Sequence, residues 1–538
     1  MKTGADRLEF AIIRNDTLKI SMGGTSGQEI PFPPLHLYDL ETGEANHNNV
    51  ATHVALNGKT INIKDAYEAK EFDFSGTRNF DEKTGYRSKS FLTVPLKNSA
   101  GDVIGVLQLI NAMDADGKAI PFSKDIEPVI ESLASQAAVA IDNQQLLEGQ
   151  KHLLESFIEL IASAIDAKSP YTGGHCQRVP ELTEMLTREA SAANKGPFKD
   201  FSLNEEEFYE LHIAAWLHDC GKVTTPEYVV DKATKLETIY NRIHEIRSRF
   251  EILKRDAEIA YLRNLMEGGK DPKKLKAEFD SEIQAIDEDF NFIAESNVGG
   301  EFLDEEKVER IQKIGARQWV RTLDDRVGLS HDEMSRIESH PARPVPCEES
   351  LLDDKPEHIV SWGEKDRLAG EAEGFRMNVP KVKFNNGEVY NLSISRGTLT
   401  EEERYKINEH IVQTIRMLNH LPFPKSMKRV PEYAGGHHET LVGTGYPKRL
   451  SREEMSIPAR VMAIADIFEA LTACDRPYKK AKTLSEAIKI MSFMRNDEHI
   501  DPDLFDLFLT SGIYKKYADV FLEPDQLDEV DIEPFLSK

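Results

Sequence analysis

The sequence predicts a multidomain protein: an N-terminal α/β domain, a long linker helix, and an all-α domain carrying a large, mostly helical insertion. Three observations predict it. Short apolar runs with strand-like composition and turn residues between them fill the chain from Leu8 to about Ile120. An apolar stripe of helical period then runs from Ser123 to Lys168. Beyond it helical patterns dominate, broken by a charged stretch from about Lys232 to Arg396. The divisions this implies are 1–122 for the first domain and 123–168 for the linker helix. The all-α domain takes 150–232 and 395–515, the insertion 233–394 and a C-terminal tail 516–538.

In the first domain Leu8–Ile13 and Asp16–Ile20 read as strands joined by a turn at Asn15-Asp16. Ser90–Leu96 and Val103–Ile110 read as a second hairpin, turning at Ser99–Asp102. In the linker, Pro128 is tolerated in a first helical turn, and Ile126, Val129, Ile130, Leu133, Ala137, Ala140, Ile141 and Leu147 recur at helical spacing. Such a stripe needs a partner surface, and a parallel homodimer supplies one; packing against each domain is the plainer alternative. In the all-α domain Phe208–Leu217 brings His218 and Asp219 to a helix end. Ile457-Pro458 opens another helix, with Val461, Ile464, Ala465, Phe468 and Leu471 facing the core and Asp466 projecting from it. The insertion reads as helices over Thr238–Met266, Pro272–Glu295 and Asp304–Leu323, separated by glycine pairs at 268–269 and 299–300. Its charge is that of a solvated face, a lid or a dimer arm. An irregular part from Pro341 to Arg396 follows, with short strands near Val382–Phe384 and Val389–Leu392.

Composition narrows the function. The chain has 538 residues, 40% hydrophobic and 30% charged, with a formal charge of −26. That charge argues against a nucleic-acid polymer as partner, since phosphate neutralisation needs clustered Lys and Arg; a dinucleotide needs only local basic residues. Cys176, Cys220, Cys347 and Cys474 form no Cys-x-x-Cys pair, so no zinc ribbon or disulfide framework is expected. No apolar run reaches the ~20 residues of a membrane helix. Met1–Arg7 lacks the order of a signal peptide, so the expected location is cytoplasmic.

The chemistry concentrates at His218-Asp219. An imidazole can cap one ion while the neighbouring carboxylate, with two oxygens, bridges to a second. Bridged cations about 3.5–4 Å apart are a standard device for phosphodiester hydrolysis. Around this pair the chain supplies Thr172-Gly173-Gly174-His175, Gly221-Lys222, His410, His437-His438-Glu439 and Ala465-Asp466. A buried Asp466 without a cation would be costly.

With Gly397-Thr-Leu-Thr-Glu-Glu, Gly445-Tyr446-Pro447 and Asp475-Arg476-Pro477-Tyr478-Lys479, these blocks resemble the HD-GYP family of bacterial phosphodiesterases over roughly 150–232 and 395–500. The resemblance implies that His175, His218, Asp219 and Asp466 hold one divalent ion. It implies that Asp219 bridges to a second, completed by His410, His437 and His438. Ligand type alone does not choose the metal; the resemblance tilts it to iron or manganese, with zinc, nickel and magnesium left open. Some members carry a Glu four residues before the first His and hold a third ion; Tyr171 stands there, so two are expected. His244 competes with His410 for the ligand after a Lys-Leu-Thr-like segment; the longer step from Leu399 to His410 fits better, leaving His244 a helix-surface residue. Lys222 is expected to bond a phosphate oxygen or the nucleophile. Arg476 and Lys479 are expected to bind the other phosphate, and Tyr446 to pack on a base. Val442 stands where the family has Asp, which puts the loop's hydrogen bonding and substrate choice in question.

The first domain, through its second hairpin and Thr84-Gly85-Tyr86-Arg87, resembles a GAF sensor domain. Asn79-Phe80-Asp81-Glu82 is similar to the motif of cyclic-nucleotide-binding GAF domains. The copy is partial, so a GAF fold with an unidentified small ligand, or none, is favoured. It lacks the usual leading helix, which suggests a start inside a longer parent. The implied function is hydrolysis of cyclic di-GMP to the linear dinucleotide or GMP under GAF control, a bacterial second-messenger role. The alternatives are another cyclic dinucleotide such as cyclic GMP-AMP, a nucleotide receptor that no longer cuts, or a nucleotide phosphohydrolase of the wider HD superfamily.

Overall fold

A computed structural model describes residues 5–14, 17–24, 34–168, 174–300, 302–364, 366, 369–474 and 481–536. The chain forms two compact units, Met1–Leu154 and Glu155–Lys538.

The first unit is an antiparallel sheet of seven strands: β1 (Ala5–Arg14), β2 (Thr17–Gly24), β3 (Leu35–His36), β4 (Ile61–Ile63), β5 (Phe91–Lys97), β6 (Val103–Met113) and β7 (Ala119–Ile120). Their order is β3-β2-β1-β6-β5-β4, with β7 beside β6. The predicted second hairpin is β5–β6, in register Leu92↔Leu109 and Val94↔Leu107. The first is β1–β2; its predicted turn at Asn15-Asp16 lies outside the described residues. Alternation along the strands gives the sheet two apolar faces. Ala11, Phe91, Val106 and Ile110 pack with Val50 and Val54 of helix α1 (Val50–Asn57). The other face, through Leu92, Val94, Leu107 and Leu109, covers Ile130, Ala134 and Ala138 of α3 (Glu127–Lys168), which realises the linker helix.

Between β4 and β5 in the chain comes α2 (Ser75–Thr84), which carries the Asn79–Glu82 motif. Its Asp81 is buried and accepts from Tyr67 Oη (2.7 Å), Ser88 N and Ser88 Oγ (2.8 Å each). The carboxylate thus ties α2 to the approach of β5. Phe80, with the Arg7 guanidinium 4.5 Å from its ring centre, lines a cavity of about 280 Å³ with Glu9, Asn49, Thr77, Ser88 and Gln108.

The second unit is mostly helical. It begins with α4 (His175–Ala192), α5 (Glu205–Leu217), a 3-10 turn (Cys220–Thr224) and the short α6 (Glu227–Val230). The insertion follows as α7 (Ile243–Glu267), α8 (Pro272–Val298), α9 (Glu305–Gly315), β8 (Gln318–Arg321), α10 (His331–Ile337), β9 (Cys347–Ser350), β10 (Ile359–Val360), β11 (Phe384–Asn385) and α11 (Glu388–Leu392). The unit closes with α12 (Glu401–His420), α13 (Val430–Gly435), α14 (Ile457–Thr472), α15 (Leu484–Asn496), α16 (Pro502–Thr510) and α17 (Ile513–Phe521). One core joins α4, α14, α15, α16 and α17 through Val179, Leu186, Ile464, Phe468, Met491, Phe505 and Tyr517. None of the described helices is long and apolar enough to cross a membrane.

The insertion has its own core of Ile246, Phe250, Ile286, Ile293, Ile311, Ile314, Leu351 and Leu392. Two expectations for it need correction. The helix expected over Asp304–Leu323 stops at Gly315, packed so closely on Leu352 that an added Cβ would come 3.2 Å from Leu352 Cβ. The chain then turns into β8, which pairs with β9. The strand expected at Val389–Leu392 is the helix α11: Val389 and Leu392, three apart, face the same core. Asn391 Nδ2 also donates to the carbonyls of Asn385 (3.0 Å) and Gly387 (2.7 Å).

Glu388 on α11 fastens the insertion. It is buried and accepts a two-pronged ion pair from Arg249 on α7, with Nη1 at 2.9 Å. Burial alone would raise its pKa, but Arg249 outweighs this and holds it below 4.5. Its folded value thus lies below its unfolded one, so its contribution is full above about pH 4.5 and is lost as pH falls. Glu388→Gln leaves the Arg249 charge buried without its partner and is expected to cost about 3 kcal/mol. Denaturant unfolding at pH 7 should show that loss, and the wild-type advantage should vanish as pH falls below the folded pKa of Glu388.

Candidate metal centre

Five pieces of the second unit converge. His175 stands at the start of α4, behind Gly174 at φ 85°. His218 and Asp219 follow the end of α5, whose start is fixed by the Asn204–Glu207 capping box. His410 lies on α12 and Asp466 on α14. His437 and His438 follow α13. There Gly435 and Gly436 have no room for side chains: an added Cβ would come within 2.6 Å of Ile415 Cγ1 and 2.8 Å of Ala459 Cβ. Gly221 is squeezed harder. A Cβ on it would sit 1.9 Å from the His410 carbonyl, and its N–H donates to Thr414 Oγ1 at 2.9 Å. This contact brings the His218-Asp219 corner against α12.

Two groups result: His175, His218 and Asp219, and His410, His437 and His438. Within each, one ligand atom per residue lies within 4.8 Å of the others. Asp219 faces both. Its Oδ2 is 3.2 Å from His175 Nε2 and 3.3 Å from His218 Nε2, while its Oδ1 is 3.1 Å from His410 Nε2. Asp466 Oδ1 adds a fourth donor, 3.4 Å from His175 Nε2 and 4.0 Å from His218 Nε2. Ligands bonded at about 2.1 Å to one ion at tetrahedral or octahedral angles stand about 3.0–3.4 Å apart. The spacing fits.

The hydrogen bonds fix which atoms are free. His218 Nδ1 faces the Ala215 carbonyl (2.7 Å), His410 Nδ1 that of Ile407 (2.5 Å) and His437 Nδ1 that of Ala434 (2.8 Å). Each is a contact three residues back along its own chain. A nitrogen facing a carbonyl carries a proton, so Nε2 is the atom each ring turns inward to meet a metal. His175 Nδ1 is held likewise by Glu469 Oε2, whose other oxygen takes Arg178 Nε at 2.8 Å. Asp219 Oδ1, His410 Nε2 and His437 Nε2 are buried without a hydrogen bond. Lone pairs gathered this closely repel unless a cation stands among them.

Protonation agrees. Burial holds His437 down to about 3, and holds His438 well below its usual range. Burial opposes the charged Asp219, but Lys222 and His218 outweigh it and hold the carboxyl well below 3.8. Burial also opposes the charged Lys222, yet Asp219 and Asp466 raise it, so its ammonium persists at neutral pH against Asp219 Oδ2. His437 and His438 are therefore neutral and Asp219 ionised. Burial opposes the charged His175 as well, but Glu469 and Asp219 outweigh it and raise its pKa to about 10 in the metal-free protein, a proton that a bound cation would displace.

His438 is half-buried and stacks on Tyr446, ring centres 4.9 Å apart. The Tyr446 loop is secured by Glu439, whose oxygens accept from Lys448 N (2.6 Å) and Leu450 N (2.9 Å), and by Thr440 Oγ1, which accepts from Thr444 N (3.0 Å). Val442 is exposed and does not supply these bonds. His244 is exposed on α7, its ring against Arg247. Arg476, Lys479 and Tyr171 lie outside the described residues. Sequence reasoning missed Glu469. The available signal was its place three residues after Asp466, on the same face of α14.

Fold and donors together define a helical domain built to bind divalent metal. Among known families, residues 346–504 match the HD domain and residues 20–141 the GAF domain. The chain carries both. The HD match takes in His410, His437, His438 and Asp466; His175, His218 and Asp219 precede it, across the insertion. A cyclic di-GMP phosphodiesterase of Pseudomonas aeruginosa is 38% identical over 135 residues, 25% of this chain and 31% of that protein. A 3'3'-cGAMP-specific phosphodiesterase of Vibrio cholerae is 37% identical over 116 residues, 22% of this chain and 26% of that one. The chain thus spans less than a third of the length of these relatives. A solved GAF domain from an Acinetobacter phosphoenolpyruvate-protein phosphotransferase aligns at 18% identity and TM-score 0.20, over 27% of this chain and 75% of that one.

Glu469→Ala removes the carboxylate that orients His175. Metal affinity, measured by competition with a chelator, should fall about 10- to 100-fold, the usual cost of losing such support. An unchanged affinity would mean that Glu469 merely pairs Arg178.

Proposed function

We propose that this protein is a metal-dependent phosphodiesterase that hydrolyses cyclic di-GMP to the linear dinucleotide or to GMP, under the control of its GAF domain. The observation that carries this is Asp219, whose two oxygens face two separate sets of imidazoles. His175, His218, Asp219 and Asp466 would hold one divalent ion, and Asp219, His410, His437 and His438 the other, iron or manganese by resemblance. Bound there, such a pair would supply a hydroxide nucleophile and shield phosphate charge.

The chain's own groups do the rest. The buried Nδ1 contacts keep each imidazole in one tautomer and one orientation. Lys222 keeps its proton at Nζ and places a fixed positive charge beside Asp219, suited to a non-bridging phosphate oxygen. Tyr446, braced by His438, offers a flat wall for a base. Arg476 and Lys479 follow Asp466 in sequence and are proposed to take the second phosphate. The Pseudomonas and Vibrio relatives, named for cyclic di-GMP and cyclic GMP-AMP, support a cyclic dinucleotide as substrate. The GAF cavity of about 280 Å³, at the small end of ligand sites, suits a small ligand.

The second reading is a receptor that binds without cutting. Val442 favours it, because an apolar residue replaces a polar one beside the Tyr446 loop. A homodimer through α3 is part of the proposal: Leu146 (59% exposed), Leu153 (57%) and Leu160 (63%) recur every seven residues, as in a coiled coil.

Anaerobically purified protein loaded with manganese or iron should hydrolyse cyclic di-GMP, and Asp219→Ala should abolish turnover. Turnover confined to cyclic GMP-AMP would reassign the substrate; binding without turnover of either would establish the receptor. Sedimentation at micromolar concentration should give a dimer, and a monomer would remove the α3 contact from the account.

A further inference from the structure

The last turn of α3 is fastened to the metal centre by contacts that its apolar packing does not require. Ile158, Ala162 and Ile165 bury one face of this end of the helix. Beyond them, Lys168 Nζ donates to three main-chain carbonyls: Val223 at 2.5 Å, Thr225 at 2.6 Å and Lys222 at 3.4 Å. These carbonyls close the 3-10 turn that starts directly after Asp219, where a cation is the favoured partner. Two residues earlier, Asp166 Oδ2 accepts from Gly174 N at 3.2 Å, next to His175. On its far side the turn presses Gly221 against the His410 carbonyl. The segment bearing Asp219 and Lys222 is therefore held between the end of α3 and α12.

We propose that Lys168 is a positioning residue for this site and that α3 acts on turnover through it. The inference rests on the phosphodiesterase reading. Three hydrogen bonds to one rigid turn transmit a displacement of the helix end to Asp219 and Lys222. Little slack absorbs it, since Gly221 already touches α12. An error of about 1 Å in such a site can cost about 100-fold in rate. The bonds Lys168 makes are to main-chain carbonyls of the turn, not to the proposed metal ligands, and it acts through that turn.

The test uses the full chain loaded with manganese. Lys168→Met should lower kcat about 10- to 100-fold, with KM within about twofold and metal content unchanged. Lys168→Arg, which can still donate to the carbonyls, should restore most of the rate. Metal loss together with a fall in Tm, without rescue by Arg, would overturn the proposal and reduce Lys168 to a structural tie. A kcat equal to wild type in Lys168→Met would overturn it as well. Inserting two residues after Gln144 rotates the following helix by about 200°. Its effect on kcat should be large in the wild type and small in Lys168→Met, and equal effects in both would deny transmission through Lys168. If the wild type itself shows no turnover, the proposed function falls. The manganese EPR spectrum then decides: an unaltered spectrum in Lys168→Met removes the positioning role, and a changed one at constant metal content retains it.

Discussion

Asp219 is the constraint on which the second unit depends. One buried carboxylate faces imidazoles from α4 and α5 with one oxygen and from α12 with the other. Hydrogen bonds do not satisfy that arrangement, since Asp219 Oδ1, His410 Nε2 and His437 Nε2 are buried without one. Cations can. The surrounding structure serves this geometry: glycines at 221, 435 and 436 let backbones approach, and backbone carbonyls hold the His218, His410 and His437 rings from behind. Two carboxylates, Glu469 and Glu388, work at a distance from the centre, one orienting His175 and the other fastening the insertion.

Much of this was legible in the sequence. The long helix, the β5–β6 hairpin and the helix starts at Pro272 and Ile457 follow from periodicity and capping, which are local. His175, His218, Asp219, His410, His437, His438 and Asp466 stood out because His and Asp rarely gather in ordered blocks without a ligand to share. Their convergence in space is a finding of the structure alone.

What stayed hidden depends on contacts distant in sequence. Glu469 looks like an exposed helix residue until His175 and Arg178, nearly three hundred positions earlier, pack against it. The β8–β9 pair joins segments with weak strand composition, and its Arg321–Glu349 ion pair is buried by tertiary packing. Val389–Leu392 reads equally well as alternate or helical, since four residues barely distinguish periods of 2 and 3.6. Lys168 gives no local sign of its role, as its three partners are main-chain carbonyls that any sequence would supply.

The insertion separates the two groups of donors by more than a hundred residues, yet it folds around its own core and returns the chain to α12 beside the 3-10 turn. The shared carboxylate therefore makes a stoichiometric claim about metal. Anaerobically purified protein, analysed by elemental mass spectrometry beside His410→Ala, should hold two ions per chain in the wild type and one in the variant. One or three ions in the wild type, or two in His410→Ala, would contradict a centre in which Asp219 joins two separate sites.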